Sequence, residues 1–297
     1  MITIFTPTYN RAHLLPRLYE SICKQDCMDF EWLVIDDGST DDTQVLFDEW
    51  TTREHPFSLI HQKVKNGGKQ RAINRAVDMA RGEYFFIVDS DDALVPHAIS
   101  FIKQAFETLP KGDESFIGIS GLRVCFDGSF IQGKPQIDPA VGHVDCNNLE
   151  RSQYNLVSDM AEVFYTEKLK HYKFPVWQGE IFTPEAVVWD QMALDGYRLR
   201  WFDTPIYYCE YQEGGLTKST WSLLKRNPMG YAMLFNTQLK YQKEGRMNTV
   251  LQFISCCCLA GEYSYLKQCS SKLVYCLFPL GWLLSLRRKK QLKENAG

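Results

Sequence analysis

Three carboxylates in four residues, Asp89, Asp91 and Asp92, stand at the end of the apolar run Tyr84-Phe85-Phe86-Ile87-Val88. A buried-type strand therefore delivers a dense acidic cluster to the point where the chain turns. Strand carboxyl ends are where α/β sheets place their chemistry. Like charges packed this closely repel, and two readings of such a turn are open. In one, a divalent cation relieves the repulsion: Mg²⁺ or Mn²⁺ takes hard oxygen ligands and would in turn hold phosphate oxygens. In the other, the turn is simply solvated, and Asp92 caps a helix begun by Ala93-Leu94-Val95-Pro96.

The segments before this cluster alternate in period. Ile2 to Phe5 reads as a short strand stopped by Thr6-Pro7-Thr8-Tyr9-Asn10, and Leu14, Leu15, Leu18 and Ile22 follow at helical spacing. Trp32-Leu33-Val34-Ile35 is a second strand ending at Asp36-Asp37-Gly38-Ser39, with Val45, Leu46 and Trp50 marking a second helix. Ser58 to His61 is a third strand; Ala72, Ile73, Ala76, Val77 and Ala80 form a helix stripe that Gly82 closes before the fourth. A β-α-β-α-β-α-β rhythm predicts a doubly wound, mostly parallel sheet. Its polar loops then converge at one crevice.

Past Pro110 the pattern loosens. Phe116 to Phe126 and Phe130-Ile131-Gln132 suggest an antiparallel pair around Asp127-Gly128, and Arg198 to Tyr211 is β-rich. From Glu213-Gly214-Gly215 onward the chain is helix-forming. We therefore expect a domain over residues 1–213, with a ligand half at 1–110 and a second half at 111–213, and a helical region at 214–297. The chain has 297 residues, which suffices for this plan, and 45% hydrophobic residues supply its cores. A net charge of −3 gives no sign of a nucleic-acid partner. Ten cysteines, with Cys256-Cys257-Cys258 adjacent, show no disulfide framework and suit a reducing compartment. Met1 leads directly into strand-forming residues, so no secretory leader is expected.

A second tract, Leu273 to Leu286, is uncharged and followed by Arg287-Arg288-Lys289-Lys290. It is too short to span a bilayer, and Pro279 and Gly281 interrupt it. An apolar, Trp-containing stretch beside a basic cluster suits residues 273–290 to an anionic membrane surface. An ordinary core helix with a solvated basic end is the other reading.

Four strand ends carry the chemistry. They are Thr6-Pro7-Thr8-Tyr9-Asn10-Arg11, Asp36-Asp37-Gly38-Ser39-Thr40-Asp41, Asn66-Gly67-Gly68-Lys69 and Asp89-Ser90-Asp91-Asp92. Together they suit a nucleoside diphosphate. Asp37 can accept from a base N–H and Tyr9 can pack on the base. Gly67 and Gly68 admit a close backbone approach, and Lys69 brings positive charge. Taken singly, each is also an ordinary turn or helix-entry loop. Neither a P-loop nor a Gly-x-Gly-x-x-Gly fingerprint is present.

These pieces, with Ala80-Arg81-Gly82-Glu83-Tyr84, make residues 2–92 resemble the nucleotide-binding half of an inverting family 2 glycosyltransferase of the bacterial surface-polysaccharide type, with the GT-A fold. The resemblance extends to about residue 110 and weakens to about 215. It implies a metal-dependent transfer of sugar from a nucleotide-sugar, UDP-linked by expectation, to a glycan or lipid-linked acceptor hydroxyl. The tract at residues 273–290 would hold such an enzyme peripherally on the cytoplasmic face of the cell membrane. Thr6, Pro7, Thr8, Tyr9, Arg11, Asp37, Gly68, Lys69, Asp89, Ser90 and Asp91 would line the donor site. Asp89 would face the ribose and Asp91 would hold Mn²⁺ or Mg²⁺. The family's general base sits in a Glu-Asp pair about eleven residues before a Gly-Tyr turn. Counting back from Gly196-Tyr197 gives Glu185, with Pro184 in place of the preceding acid; Glu180 is the second candidate. An acidic residue in a helix's first turn is the plain structural reading of Glu185. Absence of Gln-x-x-Arg-Trp disfavours a processive synthase. The rival class is a catalytically silent nucleotide- or glycan-binding scaffold, and a nucleotidyltransferase is more distant.

Overall fold

The computed structural model describes residues 1–131, 133–157, 159–210 and 220–294. They fall into two compact units, Met1–Lys173 with Asp195–Tyr211, and Phe174–Leu194 with Gln212–Gly297. The boundary expected at Glu213-Gly214-Gly215 lies outside the described residues. Phe174–Leu194, read above as part of the second half, groups with the C-terminal helices.

Among the described residues, the first unit is built on nine strands: β1 (Ile2–Thr8), β2 (Phe30–Asp36), β3 (Ser58–Lys63), β4 (Tyr84–Ile87), β5 (Ala93–Leu94), β6 (Phe116–Cys125), β7 (His143–Cys146), β8 (Met160–Tyr165) and β9 (Arg198–Cys209). Their order is β3-β2-β1-β4-β8-β6-β9-β5, with β7 on β9. The first four are parallel, β8 runs against β4 and β6, and β6 and β9 are parallel. The expected doubly wound, mixed sheet is thus what forms. Ile2, Ile4, Trp32, Val34 and Phe86 share one buried face with α1 (Leu15–Cys23), α2 (Thr43–Thr51) and α4 (Ala98–Glu107). Phe5, Leu33, Ile35 and Phe85 alternate to the other face, and α3 (Lys69–Met79) packs on β1 and β2.

Three local expectations change. Strand β1 does not stop at Phe5 but pairs with β2 as far as Thr8 opposite Asp36. Proline is tolerated there because Phe5 C=O accepts from Val88 N and Thr8 C=O from Asp37 N. Odd residues thus face β4, whose ladder ends at Phe5–Ile87, so the N–H that Pro7 lacks has no partner to lose. Ala93-Leu94 opens no helix. It is a strand paired with Tyr207 and Tyr208 of β9, and α4 begins only at Ala98, beyond Pro96. The hairpin around Asp127-Gly128 is reduced to a single Val124–Phe130 bridge, because β8 and β9 already occupy both sides of β6. Gln132 lies outside the described residues.

The second unit contains α6 (Ala186–Leu194), α7 (Thr220–Arg226), α8 (Pro228–Tyr241), α9 (Arg246–Ala260) and α10 (Leu273–Glu294); the short α5 (Thr166–Leu169) belongs to the first. Its core joins Met229, Ala232, Leu239, Phe253, Ile254 and the three consecutive cysteines. Burial pushes the Cys256 thiol up to about 12, so these cysteines act as small apolar core residues. All ten cysteines are unpaired thiols. The break expected in the last tract does not occur: α10 runs unbroken through Pro279. Gly281 lets it lie against α9, where an added Cβ would come within 2.5 Å of Ile254 Cγ2. No helix among the described residues is long and apolar enough to cross a membrane. Arg288 is not part of a solvated basic end: it is 2% exposed and donates to Ser255 Oγ at 2.9 Å.

Candidate functional site

The loops that follow β1 to β4 are joined to one another by hydrogen bonds. Asn10, held at φ 53°, accepts Thr40 N–H on its side-chain oxygen at 2.7 Å, while its own N–H donates to Ser39 Oγ at 2.9 Å. Ala12 N–H donates to Asp41 Oδ2 at 2.9 Å. These contacts tie the first loop to the second. Asp37 ties the second to the third: its two carboxylate oxygens accept Gly67 N–H and Gly68 N–H, each at 2.7 Å. Gly38, at φ +84°, leaves no room for a side chain, since a Cβ would stand 2.9 Å from Asn66 N. Lys69 Nζ then reaches Asp89 Oδ1 at 2.6 Å and closes the third loop onto the fourth.

Around Asp89 lies a network that sequence reasoning missed. Arg123 of β6 places Nη1 3.5 Å from Asp89 Oδ2 and 4.0 Å from Asp92 Oδ2. Its guanidinium sits 4.3 Å from the ring centroid of Tyr207 on β9. The Tyr207 hydroxyl accepts Asp89 N–H at 2.8 Å and donates to Asp92 Oδ2 at 2.7 Å. Burial would raise the Asp89 carboxyl, but the Lys69 and Arg123 charges outweigh it and hold it at about 2. Burial, reinforced by the Asp89 charge, raises Asp92 to about 7. The repulsion inferred from the sequence is therefore relieved by two cations of the chain itself and by a carboxyl that resists ionisation. One signal was available: Arg123 is a lone charge within the apolar strand Phe116–Cys125.

Asp91 differs from both neighbours. Its backbone carbonyl accepts from Arg17, while its side chain makes no hydrogen bond or ion pair with any described residue. Among the described residues, no three His, Cys, Asp or Glu side chains converge to hold a metal. The donor set fits a hard cation only as one protein carboxylate, Asp91, completed by phosphate and water oxygens, which is a common arrangement for Mg²⁺.

The other expected donor-site residues separate into two groups. Tyr9 is 48% exposed at the mouth of the first loop, and Arg11 and Pro7 are half-buried. Thr6, Thr8 and Ser90 are buried. Thr6 points into the core, where its hydroxyl accepts the Trp32 indole N–H at 3.0 Å. It is fully buried and braces the strand end. Asp37 is braced as well, yet each of its oxygens keeps a second lone pair for a base N–H. Asp37→Ala is expected to raise donor KM by roughly tenfold or more with a smaller change in kcat, as for loss of binding shared by ground and transition states. Initial rates against donor concentration measure it, and an unchanged KM would leave Asp37 as a loop brace only.

The two candidate bases lie in the second unit and are not equivalent. Glu180 is 7% exposed and accepts the N–H groups of Met229 at 2.7 Å and Gly230 at 2.9 Å, the first-turn donors of α8. A carboxylate there satisfies orphan N–H groups and complements the helix dipole. Glu180→Gln should therefore lower stability by about 1.5–3 kcal/mol, the range for hydrogen bonds to charged groups, as read from denaturant melts. An unshifted melting curve would show the cap to be dispensable. Glu185 is half-buried and immediately precedes α6, where its backbone carbonyl accepts Val188 N at 2.9 Å and Trp189 N at 3.1 Å.

Comparison with known proteins agrees with this geometry. The Glycosyl transferase family 2 model matches residues 3–117. "Glycosyltransferase GlyG" of Streptococcus pneumoniae is 35% identical over 104 residues, covering 35% of this chain and 34% of that protein. "Chondroitin synthase" of Escherichia coli is 37% identical over 106 residues, 36% of this chain and 15% of that protein. The match thus spans about a third of the first relative's length and less of the second's. Staphylococcus aureus TarS 1-349, solved with UDP-GlcNAc, superposes with a TM-score of 0.60 at 17% identity, covering 99% of this chain and 92% of that one. The mannosyltransferase PcManGT of Pyrobaculum calidifontis, solved with GDP-Man and Mn²⁺, gives a TM-score of 0.52 at 18% identity, covering 99% and 84%. Strand-end loops, sheet order and family match coincide over the same residues, and the chain therefore carries a Glycosyl transferase family 2 domain at residues 3–117, built on the GT-A fold.

Proposed function

We propose that the chain is an inverting glycosyltransferase that moves a sugar from a nucleotide-sugar to a hydroxyl of a glycan or lipid-linked acceptor in polysaccharide synthesis. One observation carries this reading. Four loops are cross-linked into a single rim in which Asp89 is fixed by Lys69 and Arg123 while the neighbouring Asp91 carboxylate has no partner among the described residues. Both TarS and PcManGT were solved with nucleotide-sugars, and PcManGT with Mn²⁺, which supports the same donor class and cation here.

In this reading Asp91 is the residue that would hold Mg²⁺ or Mn²⁺, whose charge offsets that of the departing nucleoside diphosphate. Asp37 accepts from the base and the half-exposed Tyr9 packs on it. Asp89, kept ionised by its cations, accepts from the ribose. Glu185 takes the proton from the acceptor hydroxyl as that oxygen attacks the anomeric carbon. A single displacement inverts the configuration, so no enzyme nucleophile is needed. The exposed apolar residues of α10, followed by Arg287, Lys289 and Lys290, support a peripheral contact with an anionic membrane surface, on the cytoplasmic side.

The test is release of free nucleoside diphosphate from a panel of UDP- and GDP-sugars with Mn²⁺ or Mg²⁺. The expected result is one donor turned over only when a cation is supplied. Donor binding without release or transfer across the panel and a range of glycan acceptors would instead identify a silent scaffold, and pyrophosphate release a nucleotidyltransferase.

A further inference from the structure

Helices α7 and α10 of the second unit line a cleft of about 450 Å³ with Trp221, Lys225, Leu284, Arg287, Arg288 and Gln291. Trp221 and Lys225 are one turn apart on α7, and the other four follow at i, i+3, i+4 and i+7 on α10, so each helix offers a single stripe. Half of the lining is cationic and none is acidic. Arg288 is the telling member. It is 2% exposed, donates to Ser255 Oγ and to the Gln252 side-chain oxygen, and lies 4.9 Å from the Trp221 ring centroid. No described carboxylate pairs with it, and its Nε is buried with no acceptor among the described residues. A buried guanidinium lacking both an anion and one acceptor is incomplete. An anionic oxygen supplies both.

What brings the anion is indicated by the surface beside the cleft. Beside the cleft, α10 carries exposed apolar side chains: Leu280 at 55% and Leu283 at 54% next to its stripe, and Leu286 at 41% and Trp282 at 40% farther round the helix. No acidic residue occurs between Leu273 and Lys290, and Lys289 and Lys290 are exposed at the far end. Apolar side chains, an indole and cations on one helix match the layering of a lipid surface, with acyl chains beneath anionic headgroups. We propose that this cleft takes the phosphate of an anionic lipid headgroup while the adjoining Leu280 and Leu283 enter the same lipid surface. The proposal rests on the membrane-surface reading above and adds a discrete headgroup site to it.

The test uses the full chain and vesicles of phosphatidylcholine with or without phosphatidylglycerol. Three double variants are compared after their melting curves are shown to match wild type. Lys225→Gln with Arg287→Gln empties the cleft of two cations. Lys289→Gln with Lys290→Gln removes the same charge outside it. Leu280→Glu with Leu283→Glu blocks insertion. Wild type should float with the anionic vesicles. The cleft variant should bind them roughly tenfold more weakly than its charge-matched control, because a paired, desolvated phosphate contact exceeds diffuse attraction. The insertion variant should not float. Equal losses in the cleft variant and its control would overturn the headgroup site while leaving the membrane reading standing. Flotation unmoved by the glutamates would overturn both. Inorganic phosphate raising the melting temperature of wild type but not of the cleft variant, with no vesicle binding, would assign the cleft to free phosphate instead. A dimer in light scattering that the glutamates dissolve, again without vesicle binding, would assign the apolar face to a second copy.

Discussion

If Asp91 holds the cation as proposed, Asp91→Ala is expected to abolish sugar transfer, lowering kcat/KM by about 10³-fold or more, because several kcal/mol of charge stabilisation would be lost from the leaving group. The fold should be untouched. Asp91 alone in its cluster makes no side-chain hydrogen bond or ion pair with a described residue, and its backbone carbonyl, which Arg17 uses, is retained. Asp89→Ala provides the contrast. It leaves the Lys69 ammonium and the half-buried Arg123 guanidinium short of their anion, so both stability and activity should fall. Rates with titrated Mn²⁺, alongside thermal melts, separate the two variants. Turnover in Asp91→Ala equal to wild type would remove the acidic loop from the chemistry.

Glu185→Gln carries the second large effect. If Glu185 is the general base, kcat should drop by about 10²–10⁴ while donor KM holds, since the amide keeps shape and polarity but cannot take a proton. The comparison with Glu180→Gln is now asymmetric. Glu180 already spends its carboxylate on two N–H groups at the start of α8, so its variant should be less stable, and its activity loss should follow the unfolded fraction. Single-turnover rates on protein verified as folded distinguish the cases. A folded, inactive Glu180→Gln together with an active Glu185→Gln would move the base to residue 180.

Much of the first unit was legible because its signals are local. Trp32-Leu33-Val34-Ile35 and Tyr84-Phe85-Phe86-Ile87 are continuous apolar runs, as strands buried on both faces must be. Ala72, Ile73, Ala76 and Val77 repeat at helical spacing, and all four are buried. Parallel strands joined by helices leave few arrangements, and each puts the polar strand ends on one rim. The family match at residues 3–117 covers that same stretch.

The second half resisted for a different reason. Its strands pair with distant partners: β8 inserts beside β4, and β9 lies between β6 and β5. No local spacing announces such choices. Pro7 continues a strand because of which side its missing N–H faces, and Pro279 sits within a helix that runs on past it, packed on α9 at Gly281.

The sequence by itself determined which residue types stand at the four strand ends, because periodicity and turn chemistry are properties of neighbours along the chain. Only the tertiary structure decided what those residues do there. It spent Thr6 on Trp32 and Glu180 on a helix end. It brought Arg123 and Tyr207, from strands more than thirty residues downstream, against Asp89 and Asp92, and so left Asp91 as the acid of that cluster without a described partner. Charge compensation depends on distance in space, falling with separation between atoms, and it is fixed only when the sheet closes.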